Sequence, residues 1–181
     1  MFTAAHTGAR LGELRALTWK DIDLEKRKMY ITKTACDVKE EGVIIKGETK
    51  SGKDRSVFIG KSLLEFLTKH KEKCEKTKKA LGSSFNPLEL VFTNSKGNFI
   101  DTRDLSRAYK KAVKKAGLPD TRFHDLRHTH ATILLQNNVH PKIVSERLGH
   151  SKVSVTLDLY SHVLPSLQDG AVSVFDDAFN K

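Results

Sequence analysis

Met29-Tyr30-Ile31-Thr32, Val43-Ile44-Ile45 and Arg55-Ser56-Val57-Phe58-Ile59 are three short runs rich in β-branched and aromatic residues, separated by polar stretches. Runs of this length and composition read as strands, here of a small three-stranded antiparallel sheet. Thr49-Lys50-Ser51-Gly52-Lys53-Asp54 reads as the tight turn joining the last two strands, because Gly and Asp supply turn backbone. Outside this region the period is helical. Leu11, Leu14 and Leu17 line one side of a helix that opens at Thr7-Gly8-Ala9-Arg10. A long helix is predicted from about Lys61 to Ala80, with Leu63, Leu64, Phe66 and Leu67 early and a basic tail, followed by a short strand at Val91-Phe92. From Asp101 to Ala116 the set Leu105, Ala108, Tyr109, Ala112, Val113 and Ala116 forms a helical stripe that Gly117 and Pro119 stop. Phe123 to Asn137 is helical, with Phe123, Leu126, His130, Ile133 and Leu134 on the inner side. A further helix begins near Pro141 and ends at Gly149, and Val172, Phe175 and Phe179 give the tail a weak amphipathic pattern. The fold class is α+β, mainly helical.

The 181 residues suffice for one globular domain. A helical pattern that begins almost at the first residue leads us to expect a fragment of a longer protein. No apolar run approaches the roughly 20 residues that span a bilayer. The opening Met1-Phe2-Thr3-Ala4-Ala5-His6 lacks the features of a signal peptide, so a cytoplasmic location is expected. Cys36 and Cys74 lie far apart with no CxxC pairing, which excludes a disulfide framework or a four-thiolate zinc site. A net charge of +10 favours a polyanionic partner, because each phosphate neutralised releases condensed counterions. Charge alone does not separate DNA from RNA, ribosome or anionic membrane.

The chemistry-bearing residues are scattered. His124 and Arg127, in His124-Asp125-Leu126-Arg127-His128, lie one helical turn apart on a face opposite Phe123, Leu126 and Ile133. A guanidinium fork beside an imidazole suits phosphate chemistry. His130 falls on the inner stripe and reads as structural. His128 is ambiguous: its i,i+4 relation to His124 can hold zinc, but no complete ligand set accompanies the pair. Arg10 reads equally as a surface arginine paired with a carboxylate, and Lys50 as a solvated hairpin tip. His150 follows Leu148-Gly149, exposed at a helix junction. Tyr160, between leucines, reads by itself as core.

Taken together, Thr7-Gly8-Ala9-Arg10-Leu11-Gly12-Glu13-Leu14, Thr49-Lys50-Ser51-Gly52-Lys53, His124-Asp125-Leu126-Arg127-His128, Leu148-Gly149-His150-Ser151 and Tyr160-Ser161-His162 closely resemble the motif series of the tyrosine recombinases, or phage-type integrases. Order and intervals agree over nearly the whole chain. The resemblance implies a tyrosine-recombinase catalytic-domain-like fold over residues 1–181, with an N-terminal core-DNA-binding domain and the start of the catalytic domain missing. It implies Tyr160 as nucleophile, Arg10 and Arg127 as clamps on the scissile phosphate, Lys50 and His124 as proton-transfer residues, His150 as a phosphate ligand and Glu13 as a support for Arg10. It further implies double-stranded DNA as partner, a 3′-phosphotyrosyl intermediate, and no metal or organic cofactor. A monomer when free would assemble as a homo-tetramer on DNA, with the Val172–Phe179 tail a candidate docking segment. A type IB topoisomerase, a non-catalytic DNA-binding protein that kept the fold, and a metal-dependent nuclease are the alternatives.

Overall fold

The computed structural model describes residues 1–47, 54–161 and 178. Two short helices, α1 (Phe2–Thr7) and α2 (Leu11–Ala16), open the chain, and a 3₁₀ turn (Trp19–Asp21) leads into five strands. These are β1 (Ile22–Asp23), β2 (Lys28–Ile31), β3 (Thr34–Val38), β4 (Gly42–Lys46) and β5 (Arg55–Phe58). Then follow α3 (Lys61–Leu81), α4 (Thr102–Lys115), α5 (Asp125–Gln136), α6 (Pro141–Leu148) and α7 (Val153–Tyr160). This is the expected mainly helical α+β architecture. No helix among the described residues is long and apolar enough to cross a membrane.

A three-stranded antiparallel sheet is present, but its membership corrects the sequence reading. Its order is β1-β2-β5, with Met29 opposite Ile22 on one side and Val57 on the other. The Val43–Ile45 run belongs instead to a separate hairpin, β3-β4, in which Cys36 faces Ile44. Positive φ at Glu40 and Gly42 reverses the chain within a few residues, so β4 finds its partner locally. Of the expected turn at 49–54, only Asp54 lies within the described residues, and the strands on either side of it belong to different sheets. The hairpin is fixed to α2 by a bidentate Arg15–Asp37 pair at 2.7 and 2.9 Å. Val91-Phe92 is not a strand. The nearby pairing is an isolated bridge between Thr18 and Leu90.

The helices follow their sequence signals closely. Asp101 caps α4 by accepting from the Arg103 and Asp104 amides, and Pro141 opens α6. The helix expected from Thr7 onward is broken at Gly8, whose left-handed φ of 65° ends α1 before α2 starts. On α5 the inner face is rotated from the expected one. Arg127, His130, Ala131 and Leu135 are buried, whereas Ile133 is 54% exposed. Burying Arg127 turns the helix, and a hydrophobicity pattern assigns an arginine to solvent.

Two cores result. The larger gathers Leu14, Leu17, Met29, Ile31, Val57, Leu63 and Leu67 from α2, β2, β5 and α3. The smaller joins Ala131, Leu135, Val144, Leu148 and the Tyr160 ring from α5, α6 and α7. Helix α5 reaches both, since Leu126 packs against the larger core and Ala131 and Leu135 belong to the smaller. Apart from residue 178, the Val172–Phe179 tail lies outside the described residues.

Candidate active site

Arg10 stands at the N-cap of α2, where its backbone N–H donates to Glu13 Oε2 at 2.7 Å and its Nη1 donates to Glu13 Oε1 at 2.9 Å. Glu13 is buried and is gripped a second time by Arg55 of β5, whose Nη1 and Nη2 donate to the two carboxylate oxygens at 3.0 and 2.7 Å. Burial pushes the Glu13 carboxyl up, but the Arg55 hydrogen bonds and charge, with Arg10 behind them, reverse this and leave it below its ordinary 4.5. Arg55 Nε also donates to the Arg147 carbonyl at 3.0 Å, which ties the sheet to the end of α6.

Arg127 is held differently. It is 4% exposed, and its Nη1 and Nη2 donate to the carbonyls of Gly8 and Leu148, each at 2.7 Å. Burial first, then the charges of Arg10 and Arg55, lower its pKa to about 9, so it stays a cation at neutral pH. Gly8 is required here: a Cβ would lie 2.6 Å from Leu148 Cδ2 in a backbone conformation that L side chains avoid. Gly149 does the same one turn away. It ends α6 at φ 69°, and a Cβ there would sit 2.8 Å from Arg55 Nη1.

His150 follows that turn half-buried, not exposed as the sequence suggested. Its Nδ1 is 2.7 Å from Thr156 Oγ1. Burial, then the charges of Arg127, Arg10 and Arg55, lower its pKa to about 4, so the ring is neutral at pH 7. When the threonine hydroxyl donates to Nδ1, the ring proton sits on Nε2, ready to donate to an anion. His124 is the N-cap residue of α5 and is exposed. Its pKa is lowered by partial burial, then by His128 and Arg127.

Tyr160 closes α7 with its ring in the smaller core and its hydroxyl 2.8 Å from His128 Nδ1. Burial raises the phenol pKa against the pull of Arg127. Arg10, His124, Arg127, His128, His150 and Tyr160 line one open cleft of about 440 Å³. A second cleft of about 430 Å³ shares Arg10, His124 and Arg127 and runs out to Lys110 and Arg122. Of the residues singled out from sequence, five therefore meet in one cleft and Glu13 lies behind it. Lys50 lies outside the described residues.

The sequence reading passed over Arg55, His128 and Thr156 as members of this group. A basic residue on a strand and a hydroxyl on a helix carry no local signal, and His128 gave only its spacing from His124. His130 is structural as expected: Nδ1 meets the Ala5 carbonyl at 2.8 Å, and Nε2 accepts from Arg147 at 3.0 Å. Among the described residues no three His, Cys, Asp or Glu side chains converge as a metal-binding group.

Comparison with known proteins shows the family. The profile described as "Phage integrase family" matches residues 1–166. A tyrosine recombinase XerC-like protein of Caldanaerobacter subterraneus subsp. tengcongensis is 38% identical over 187 residues, covering 96% of this chain and 47% of that protein. The ICEBs1 integrase of Bacillus subtilis is 33% identical over 175 residues, covering 94% of this chain and 46% of the relative. The chain thus spans about half the length of the curated relatives it matches. In fold it is similar to the Tn1549 transposon integrase, solved in complex with transposon right end DNA, with a TM-score of 0.78 at 24% identity over 97% of this chain and 56% of that one. On the extent of the profile match and the identity of these relatives, the chain belongs to the phage integrase family, the tyrosine recombinases, and carries the family's catalytic domain.

Proposed function

We propose that this domain cleaves and rejoins DNA at a specific site through a covalent 3′-phosphotyrosyl intermediate on Tyr160, in the service of integration or excision of a phage or mobile element. One observation carries the reading: two guanidinium groups, two further imidazoles and a phenol with its own histidine partner, brought together from the start of α2, from α5, from the α6–α7 turn and from α7, border one cleft. Attack on a phosphodiester puts charge on the non-bridging oxygens of a five-coordinate transition state, and fixed donors around that charge lower the barrier. Arg10 and Arg127 clamp the phosphate, and neutral His150 donates to one of its oxygens. Lys50 and His124 are the proton-transfer residues of this reading, with Lys50 protonating the departing 5′-oxygen. The ester energy is kept in the phosphotyrosine for a second strand's 5′-hydroxyl, so no nucleotide cofactor is consumed.

In the whole protein this domain works beside a separate DNA-gripping domain, and four protomers act on two duplexes. The net charge of +10 supports double-stranded DNA as partner. The test is a nicked suicide duplex carrying a recombination site selected for binding from a random-sequence pool. Purified protein should form an adduct that withstands detergent and EDTA, and Tyr160→Phe should abolish the adduct while leaving DNA binding unchanged. An adduct that persists in Tyr160→Phe removes Tyr160 from its role, and an EDTA-sensitive activity favours a metal-dependent nuclease. Exchange of strands between two duplexes separates a recombinase from a type IB topoisomerase, which reseals the strand it cut.

A further inference from the structure

A side chain outside the six motif positions touches the reacting atom. His128 Nδ1 lies 2.8 Å from the Tyr160 hydroxyl, across the contact between α5 and α7. We propose that His128, in place of His124, is the catalytic base that takes the phenolic proton as Tyr160 attacks, an inference that rests on reading Tyr160 as the nucleophile.

Three features of the geometry support this. The Tyr160 ring is packed among Ala131, Leu135, Val144 and Leu148, so the hydroxyl has little freedom to seek another acceptor. A phenol ionises near pH 10, and burial moves this one higher, so attack at neutral pH needs an acceptor within hydrogen-bond reach. The acceptor is also rigidly aimed. His128 follows Arg127 on α5, and Arg127 is pinned by two carbonyls from other elements. The other two imidazoles are engaged elsewhere: His150 Nδ1 is occupied by Thr156, and the exposed His124 ring stands edge-on to His128 with centroids 5.1 Å apart.

With the ring proton on Nε2, the Nδ1 lone pair of His128 faces the phenol. The Tyr160 Oη–H bond breaks, the proton moves to Nδ1, and the Oη–P bond forms. The P–O5′ bond then breaks, and the departing oxygen takes its proton from a separate acid, Lys50 in the reading above. On resealing, the incoming 5′-hydroxyl returns its proton to Lys50 and forms the O5′–P bond as the Oη–P bond breaks, and the imidazolium returns its proton to the phenolate. The titratable or charged groups around His128 are Arg10 at the start of α2, His124, Asp125 and Arg127 on α5, His150 on the α6–α7 turn and Tyr160 on α7.

His128→Asn is the informative variant, since its amide can hydrogen-bond the phenol from nearly the Nδ1 position but cannot take its proton. Adduct formation on the suicide duplex should fall on the order of 10²-fold at pH 7, the usual contribution of a positioned base. The deficit should shrink by about tenfold per pH unit above that, as the phenol ionises unaided. Difluorotyrosine at position 160, whose phenol ionises more readily, should recover most of the loss. The pH trend is a ratio within one variant, so a lowered folded fraction does not imitate it. Cleavage at the wild-type rate, or a deficit equal at every pH and unmoved by difluorotyrosine, overturns the proposal. An adduct surviving in Tyr160→Phe would instead overturn the nucleophile reading, and the two failures are therefore distinguishable.

Discussion

Arg127 and Arg10 border the same cleft but are supported by opposite means. Arg127 is 4% exposed and held by neutral carbonyls, so its whole charge is presented to the cleft. The Arg10 side chain is 23% exposed and shares Glu13 with Arg55, so two cations and one anion leave a single net positive charge there. A buried guanidinium hydrogen-bonded only to dipoles costs desolvation but keeps its field. A guanidinium in an ion network is cheaper to hold and electrostatically weaker. The two supports should therefore fail differently.

The largest effect is expected at Arg127. Arg127→Ala should lower adduct formation by roughly 10²–10³-fold, as for loss of one fixed donor to a transition-state oxyanion. It also strands the Gly8 and Leu148 carbonyls, at about 1–3 kcal/mol for each buried group left unpaired. Arg127→Lys restores charge but not the fork that reaches both carbonyls, so it should recover little of either loss. Urea unfolding beside the suicide-substrate assay checks both. If the lysine variant unfolds at the wild-type midpoint, the carbonyl clamp is not what holds this residue.

Glu13→Gln comes next. It leaves Arg55, 6% exposed, without its anion, and breaking a buried pair in this way typically costs about 3–5 kcal/mol. Arg55→Met should cost less, because Glu13 keeps Arg10 as partner. Equal costs for the two variants would mean that Arg10 does not share the carboxylate in solution. Glu13→Gln should slow cleavage by loosening Arg10, while Tyr160 and His128 keep their contact.

These supports also mark how far the sequence could be read. Helix limits were legible where Asp101, Gly117, Pro141 and Gly149 act locally on the backbone, whereas the break at Gly8 was not. The motif residues were legible as a series, and five of them share one cleft. What was not legible depends on distant partners. Arg55 meets a carboxylate 42 residues earlier in the chain, and on its strand it reads as one more exposed charge. Thr34-Ala35-Cys36-Asp37-Val38 has no clean alternation and becomes β3 through Arg15 and its hairpin partner. The inner face of α5 was misplaced because carbonyls from two other elements draw Arg127 inward. His128 needed the position of α7.

The smallest predicted effect measures the two supports directly, with His150 as the reporter. Its ordinary pKa of 6.5 is lowered to about 4, by burial first and then by Arg127, Arg10 and Arg55 in that order. Arg127→Ala should therefore raise its NMR titration midpoint more than Arg10→Ala does, and the reverse order would mean that Glu13 does not offset Arg10. The same depression has a stability consequence with a fixed sign. Between pH 6.5 and about 4 the unfolded chain binds a proton at His150 that the folded chain refuses, so stability falls as pH falls through that window and levels below it. His130, also lowered to about 4 by burial and by Arg147, adds a second loss in the same window. Melting temperature should decline from pH 7 to pH 5, and the decline should flatten in His130→Gln. In the arginine variants that raise the His150 midpoint, its part of the decline should narrow in step with that shift.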